Sequence, residues 1–216
     1  MPYQKNMKRF FHLFVLNTKN LKVLLFVPLI IIFVLLPWLK YHTEKMYGIN
    51  TETEITILQY MHSILPFSCA LLMLFSLRAQ FEESGNELLR LYSGRARVLY
   101  SLVYFLFHSL LCVYLFIWLS GHYDNILIEY SKLLLESIFL SSVAVFLLVV
   151  LHSVLFPVLG LVVYSAYVFI SSTGTYSFVQ KELTADIPER LWIFAAVGAV
   201  LMCAAVIADN RLPRYQ

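Results

Sequence analysis

From Leu133 to Ile170 the chain runs for 38 residues with a single charged side chain, Glu136. As one α-helix at 1.5 Å per residue this run would reach roughly 57 Å. A bilayer's hydrocarbon core is only about 30 Å thick. Two short spans joined by a tight turn satisfy both lengths, and His152, Ser153 and Pro157 mark that turn. Four more apolar runs lie elsewhere in the chain, at about 21–39, 55–77, 98–119 and 191–208. With spans at 133–152 and 155–170, the count is six.

Composition supports the same class. Hydrophobic residues make up 60% of the 216 and charged residues 13%, with a mean hydropathy of +0.76. A soluble domain carries roughly 25% charged residues and 45–50% apolar ones. The expected fold is therefore an all-α integral membrane protein, a six-helix bundle forming one transmembrane domain over 1–216. Pro28 and Pro37 lie in the first run and Pro66 in the second. Neighbouring helices can satisfy the backbone groups that proline frees, so the spans need not break there. Cys69, Cys112 and Cys203 sit inside apolar runs with no CxxC spacing, which reads as small core residues rather than a disulfide framework or zinc site. The first run follows a basic segment and lacks a small-residue cleavage site, so it is expected to stay as a membrane helix.

Residues 5–20 place Met7, Phe10, Phe11, Phe14 and Thr18 on one helical stripe, with Lys5, Lys8, Arg9, His12 and Lys19 opposite. A basic amphipathic helix of this kind lies in the headgroup layer ahead of a span. The segment 1–20 is accordingly read as an interfacial lead-in. Polar stretches at 40–54, 120–131 and 171–190 read as loops. Six spans put both termini on one side, and the positive-inside rule chooses which. With the termini inside, eleven Lys and Arg fall on the inner segments and five on the outer ones. Both termini and the stretch 78–97 are thus expected to face the cytoplasm, in a multi-pass protein of the cell membrane.

Catalytic patterns are missing from the sequence. It contains no HExxH, no GxSxG and no Gly-Lys pair, which excludes a P-loop. Glu82-Glu83 resembles the paired glutamates of some membrane proteases, but the position where those have arginine is Glu87. The chain itself is expected not to be an enzyme, to bind no metal and to bind no nucleic acid. Ionisable or amide groups inside spans are costly in lipid and tend to face cavities or partners. Gln59 and His62 share a face of the second span. His108 lies near mid-membrane in the third. Glu136 stands one turn into the fourth, with Lys132 four residues earlier. These four, Gln59, His62, His108 and Glu136, are the candidates for a substrate pathway; hydrogen bonds to neighbouring helices, or an interfacial pair of Glu136 with Lys132, are the structural alternatives.

Between the second and third spans, Arg78–Arg97 reads RAQFEESGNELLRLYSGRAR. Phe81, Gly85, Leu88, Leu89 and Tyr92 share one helical face, while Glu82, Glu83, Asn86 and Arg90 occupy the others. Glu87 precedes Arg90 by three residues, a favourable pair. Ser93-Gly94 breaks the pattern, and Arg95 and Arg97 anchor the next span among lipid phosphates. A short helix with a membrane side and a protein side is expected here.

The run Phe81-Glu82-Glu83-Ser84-Gly85-Asn86-Glu87-Leu88-Leu89, followed by Ser93-Gly94-Arg95, resembles the segment after the second span of ABC-2 type permeases. Those carry an acidic residue, a glycine, Glu-Leu-Leu and then a small residue with arginine leading into the third span. Tyr92-Ser93-Gly94 departs from the Leu-Pro-small pattern common there. The lead-in helix and six spans are similar in layout. The resemblance implies the membrane subunit of an ABC exporter that moves hydrophobic or amphipathic substrates by alternating access. Its ATPase, with ATP and magnesium, would be a separate chain, and a second copy or a sister permease would complete the membrane part. Glu82, Glu83, Gly85, Glu87, Leu88, Arg90 and Arg95 would then form the coupling contact with the ATPase. A membrane scaffold or sensor that docks a cytoplasmic regulator through 78–97 is the alternative.

Overall fold

The computed structural model describes residues 18, 21–81, 97–119, 126–170, 187 and 189–211. The lead-in up to residue 17 and the coupling residues Glu82, Glu83, Gly85, Glu87, Leu88, Arg90 and Arg95 lie outside the described residues. Every element described is helical, and five helices are long and apolar enough to cross a membrane. The protein is a multi-span helical membrane bundle.

The first helix, α1, is built from four segments that run into one another: Lys22–Leu25 (3-10), Phe26–Ile30 (α), Ile31–Leu35 (π) and Leu36–Tyr47 (α). The prolines explain the changes of pitch. Pro37 has no N–H to give and its ring would clash with the carbonyl four residues back. The wide turn comes just before it, and the Leu36 N–H reaches back to the carbonyl of Ile31. The chain bends in pitch without breaking.

Where polarity reads 40–54 as a loop, α1 instead continues to Tyr47 and α2, Thr51–Phe81, follows after three residues. Local chemistry accounts for the difference. Lys40 pairs with Glu44 one turn on at 2.7 Å, and its ammonium lies 5.3 Å from the centre of the Trp118 ring. Both contacts favour continued helix over loop. Gly48 stops it with φ +78°, a conformation costly for other residues, and its N–H returns to Glu44 O at 2.9 Å. Asn50 then caps α2: its Oδ1 accepts the Thr53 N–H at 2.8 Å. A helical hairpin results, with a turn of only a few residues.

α3 spans Arg97–Leu119, α4 Ile126–Leu151, α5 Leu155–Ile170 and α6 Glu189–Arg211. The long run divides between α4 and α5 around His152, which takes φ +52°. At 16 residues α5 is about 24 Å long, the short member of the set. α4 starts at Ile126, ahead of the polarity-based boundary, because Glu129 and Lys132 are paired within the bundle.

α4 is the central helix, packed on α2, α3, α5 and α6. Its buried residues include Glu129, Lys132, Leu133, Glu136, Ser137, Leu140, Ser141, Ala144, Val145, Leu148 and Val149, a continuous stripe at helical spacing. Nothing about its overall apolarity reveals this stripe. The half toward Ile126 is polar and the half toward Leu151 apolar. Small residues let a neighbour come close: a Cβ on Gly198 of α6 would sit 3.0 Å from the Phe139 Cα. Phe139 and Phe194 rings meet beside that contact, 5.2 Å apart.

Two apolar clusters hold the bundle. One joins Ala70, Leu74, Leu77 and Phe81 of α2 to Val145 and Leu148 of α4 and to Leu161 and Ala205. The other joins Ile32 and Leu36 of α1 to Ile57, Met61 and Leu65 of α2, Cys112 and Leu115 of α3, and Leu133. Large apolar side chains such as Phe26, Leu110, Tyr114, Val163, Trp192 and Val200 point outward. A bilayer, unlike water, is a favourable solvent for such faces. Cys69 and Cys112 are buried as expected of small core residues, whereas Cys203 is exposed on the outer face of α6.

Candidate functional site

Four ionisable side chains meet inside the bundle between α2 and α4. His62 Nδ1 lies 2.6 Å from Glu136 Oε2, and its Nε2 lies 3.2 Å from Glu129 Oε2. The Lys132 ammonium donates to Glu129 Oε1 at 2.6 Å. All four side chains are nearly sealed, with exposures of 7% for His62, 8% for Glu129, 3% for Lys132 and 3% for Glu136. Glu129, Lys132 and Glu136 share one face of α4 because their spacings are three and four residues. His62 faces them from α2, about 17 Å along that helix from Thr51. Glu136 is about 15 Å from the start of α4, close to half the thickness of a hydrocarbon core.

Burying such groups unpaired costs several kcal/mol each, and pairing is what makes their burial tolerable. The pairing here is complete in charge. Two carboxylates face one ammonium and one imidazole. Both imidazole nitrogens point at carboxylate oxygens, and each such contact needs a proton on one of its two atoms. Either the ring carries two protons between two carboxylates, or a neutral ring faces one protonated carboxyl. Both arrangements hold the same number of protons, and both leave the cluster with zero net charge.

The sequence candidates thus divide. His62 and Glu136 come together directly. Gln59, one turn before His62, is half-exposed and stays outside these hydrogen bonds; its carbonyl accepts the Ser63 hydroxyl at 2.8 Å. His108, 1% exposed, belongs to a separate set. Its Nε2 is 2.7 Å from Ser68 Oγ, whose hydroxyl also reaches Leu65 O at 2.9 Å, and its Nδ1 is 3.5 Å from Cys112 Sγ. A ring N–H donating to Ser68, Ser68 donating to Leu65, and the thiol donating to the ring satisfy every group. His108 ties α2 to α3.

Sequence reasoning missed Glu129, and it leaves Lys132 between the loop at 120–131 and the span expected from 133. Gly121, His122, Asp124 and Asn125 are turn-forming residue types, and the polar residues Glu129 and Ser131 extend the expected loop past them. The helix instead begins at Ile126. The available signal was the spacing 129, 132, 136, which continues the buried face of α4 upstream. Among the described residues no group of His, Cys, Asp and Glu is arranged to hold a metal ion. Lys132 supplies the fixed cation that the carboxylates need. In comparisons with protein families, characterised proteins and solved structures, nothing matches this chain.

Proposed function

We propose that this protein is the membrane-spanning subunit of an ATP-driven exporter of the ABC-2 type. The observation that carries the transport reading is the sealed cluster of His62, Glu129, Lys132 and Glu136 across the α2–α4 contact. A helix that merely anchors a protein has no use for four ionisable groups this deep in a bundle. Charged groups within membrane helices are expensive and mark paths for ions or substrates. The ATP-driven part of the reading rests on the resemblance of 81–97 to ABC-2 permeases. It is supported by the length of α2, whose 31 residues make about 46 Å, longer than the hydrocarbon core is thick. Such a helix reaches beyond the core toward the segment that would meet an ATPase.

In this reading both termini and the 78–97 segment are cytoplasmic. Glu82, Glu83, Glu87 and Arg90 supply polar contacts to a separate ATPase subunit, and Leu88 and Leu89 hold the segment to its own bundle. ATP binding draws two ATPases together, and α2 and α3 tilt to open a path in a dimer of permease subunits. The cargo is hydrophobic or amphipathic, in keeping with the apolar bundle. The internal charge balance of the cluster favours one other reading: a non-transporting scaffold whose buried charges fix helix register. Affinity purification of the tagged chain from its native membranes separates the two. An ABC ATPase recovered in near-equal amount supports the exporter; a complex containing only a non-ATPase regulator supports the scaffold.

A further inference from the structure

We infer that His62, Glu129 and Glu136 form a proton-binding site that latches α2 to α4, so that parting of these two helices releases a proton. The inference stands on the geometry of the cluster and does not depend on the exporter reading.

With one proton shared between the imidazole and the two carboxylates, the cluster with Lys132 is neutral and both His62 contacts, at 2.6 and 3.2 Å, are satisfied. Removing that proton leaves a net negative charge in a site sealed from water. It also leaves one ring nitrogen facing a carboxylate oxygen, lone pair to lone pair. Adding a second proton leaves a net positive charge and takes away a carboxylate partner. Either change is costly while the helices are closed. Once α2 and α4 part and water enters, each group recovers its ordinary behaviour. A solvated imidazole titrates near 6.5 and solvated carboxylates near 4. Above about pH 6.5 the open form therefore holds one proton fewer than the closed form. By linkage, the form that binds fewer protons gains as pH rises. Raising the pH opens the latch.

Among the described side chains, the other charged groups on the helices packed around the site make no hydrogen bond or ion pair with His62, Glu129 or Glu136. On α2 itself, Glu54 is half-buried more than two turns before His62, and Arg78 is near the opposite end. On α1, Lys40 and Glu44 pair with each other, and His42 and Lys45 are exposed. On α3, His108 is held by Ser68 and Cys112. α5 has no acidic, basic or histidine side chain. α6 begins with exposed Glu189 and half-buried Arg190, and Asp209 lies near its other end. Among the described side chains, the protons shared in these contacts are held by His62, Glu129 and Glu136.

The test is a distance measurement on the full chain in lipid nanodiscs. Spin labels are placed at Gln59→Cys on α2 and Ser131→Cys on α4, with the exposed thiol removed as Cys203→Ser. Between about pH 5 and pH 8.5 the distance distribution should shift toward longer values. The ratio of long to short distances should rise by up to about tenfold per pH unit above about pH 6.5. Glu136→Gln removes one acceptor, so a neutral cluster no longer needs the shared proton, and the rise above about pH 6.5 should vanish. Glu129→Gln should do the same, and serves where Glu136→Gln fails to fold. A wild-type distance that does not respond to pH overturns the proposal, as does a response that survives unchanged in a folded Glu→Gln variant.

Discussion

His62 has to satisfy two carboxylates at once, and that demand falls on a single imidazole and a single lysine. The balance makes each member dependent on the others. Lys132→Met leaves the Glu129 carboxylate without its ammonium in a buried site, and should lower stability by about 3 kcal/mol or more. The double change Lys132→Met with Glu129→Gln removes one charge of each sign and should recover much of that loss. Denaturation of the four members of this double-mutant cycle in mild detergent measures the coupling, which should be clearly non-additive. Additive losses would mean that the two side chains do not act as a pair. At the hairpin, Asn50→Ala removes the acceptor of the Thr53 N–H and should cost about 1 kcal/mol in the same assay, with little change in helix content. A loss below the error of that assay would show that the cap contributes nothing.

Among the helices, α4 carries the most structure and disclosed the least of it beforehand. The length limit requires residues 133–170 to divide, and His152, Ser153 and Pro157 mark the place, where α4 ends at Leu151 and α5 begins at Leu155. The beginning of α4 was not legible in the same way. Three polar residues, Glu129, Ser131 and Lys132, lie within seven residues of Asn125, the last of the turn residues, and look like more loop. They are helical because two of them are paired within the bundle, a tertiary fact with no local signature. The same reason explains α1, where Lys40 finds Glu44 and Trp118 and so extends the helix through a polar stretch. Gly48 and Asn50, inside the stretch that polarity reads as loop, are the stop of α1 and the cap of α2. The α4–α6 contact depends on the absence of a side chain at Gly198, since a Cβ there would meet backbone 3.0 Å away. Gly198→Leu should push α6 off α4 and destabilise the bundle by about 1–3 kcal/mol, read as a lower melting temperature in detergent. Gly160, with open space around its Cβ position, is the matched control, and Gly160→Ala should be nearly neutral.

For the whole molecule, sequence and structure agree on a multi-span helical membrane protein, and the proposed ATPase partner rests on the resemblance of residues 81–97 to ABC-2 permeases. This sequence contains no P-loop, and in the proposed exporter the ATPase is a separate subunit. His62 and Glu136 were each singled out as possible pathway residues, but their meeting was not foreseen, because pairing across 74 residues depends on how α2 and α4 pack. The proposed coupling role of Glu83 and Glu87 is tested most directly by the ATPase activity of a co-purified complex in nanodiscs. The exporter account predicts that the permease raises the activity of the isolated ATPase, and that Glu83→Lys with Glu87→Lys lowers both binding and stimulation at least about tenfold, a loss near 1.4 kcal/mol in contact free energy. Unchanged binding and stimulation in that double variant would contradict it.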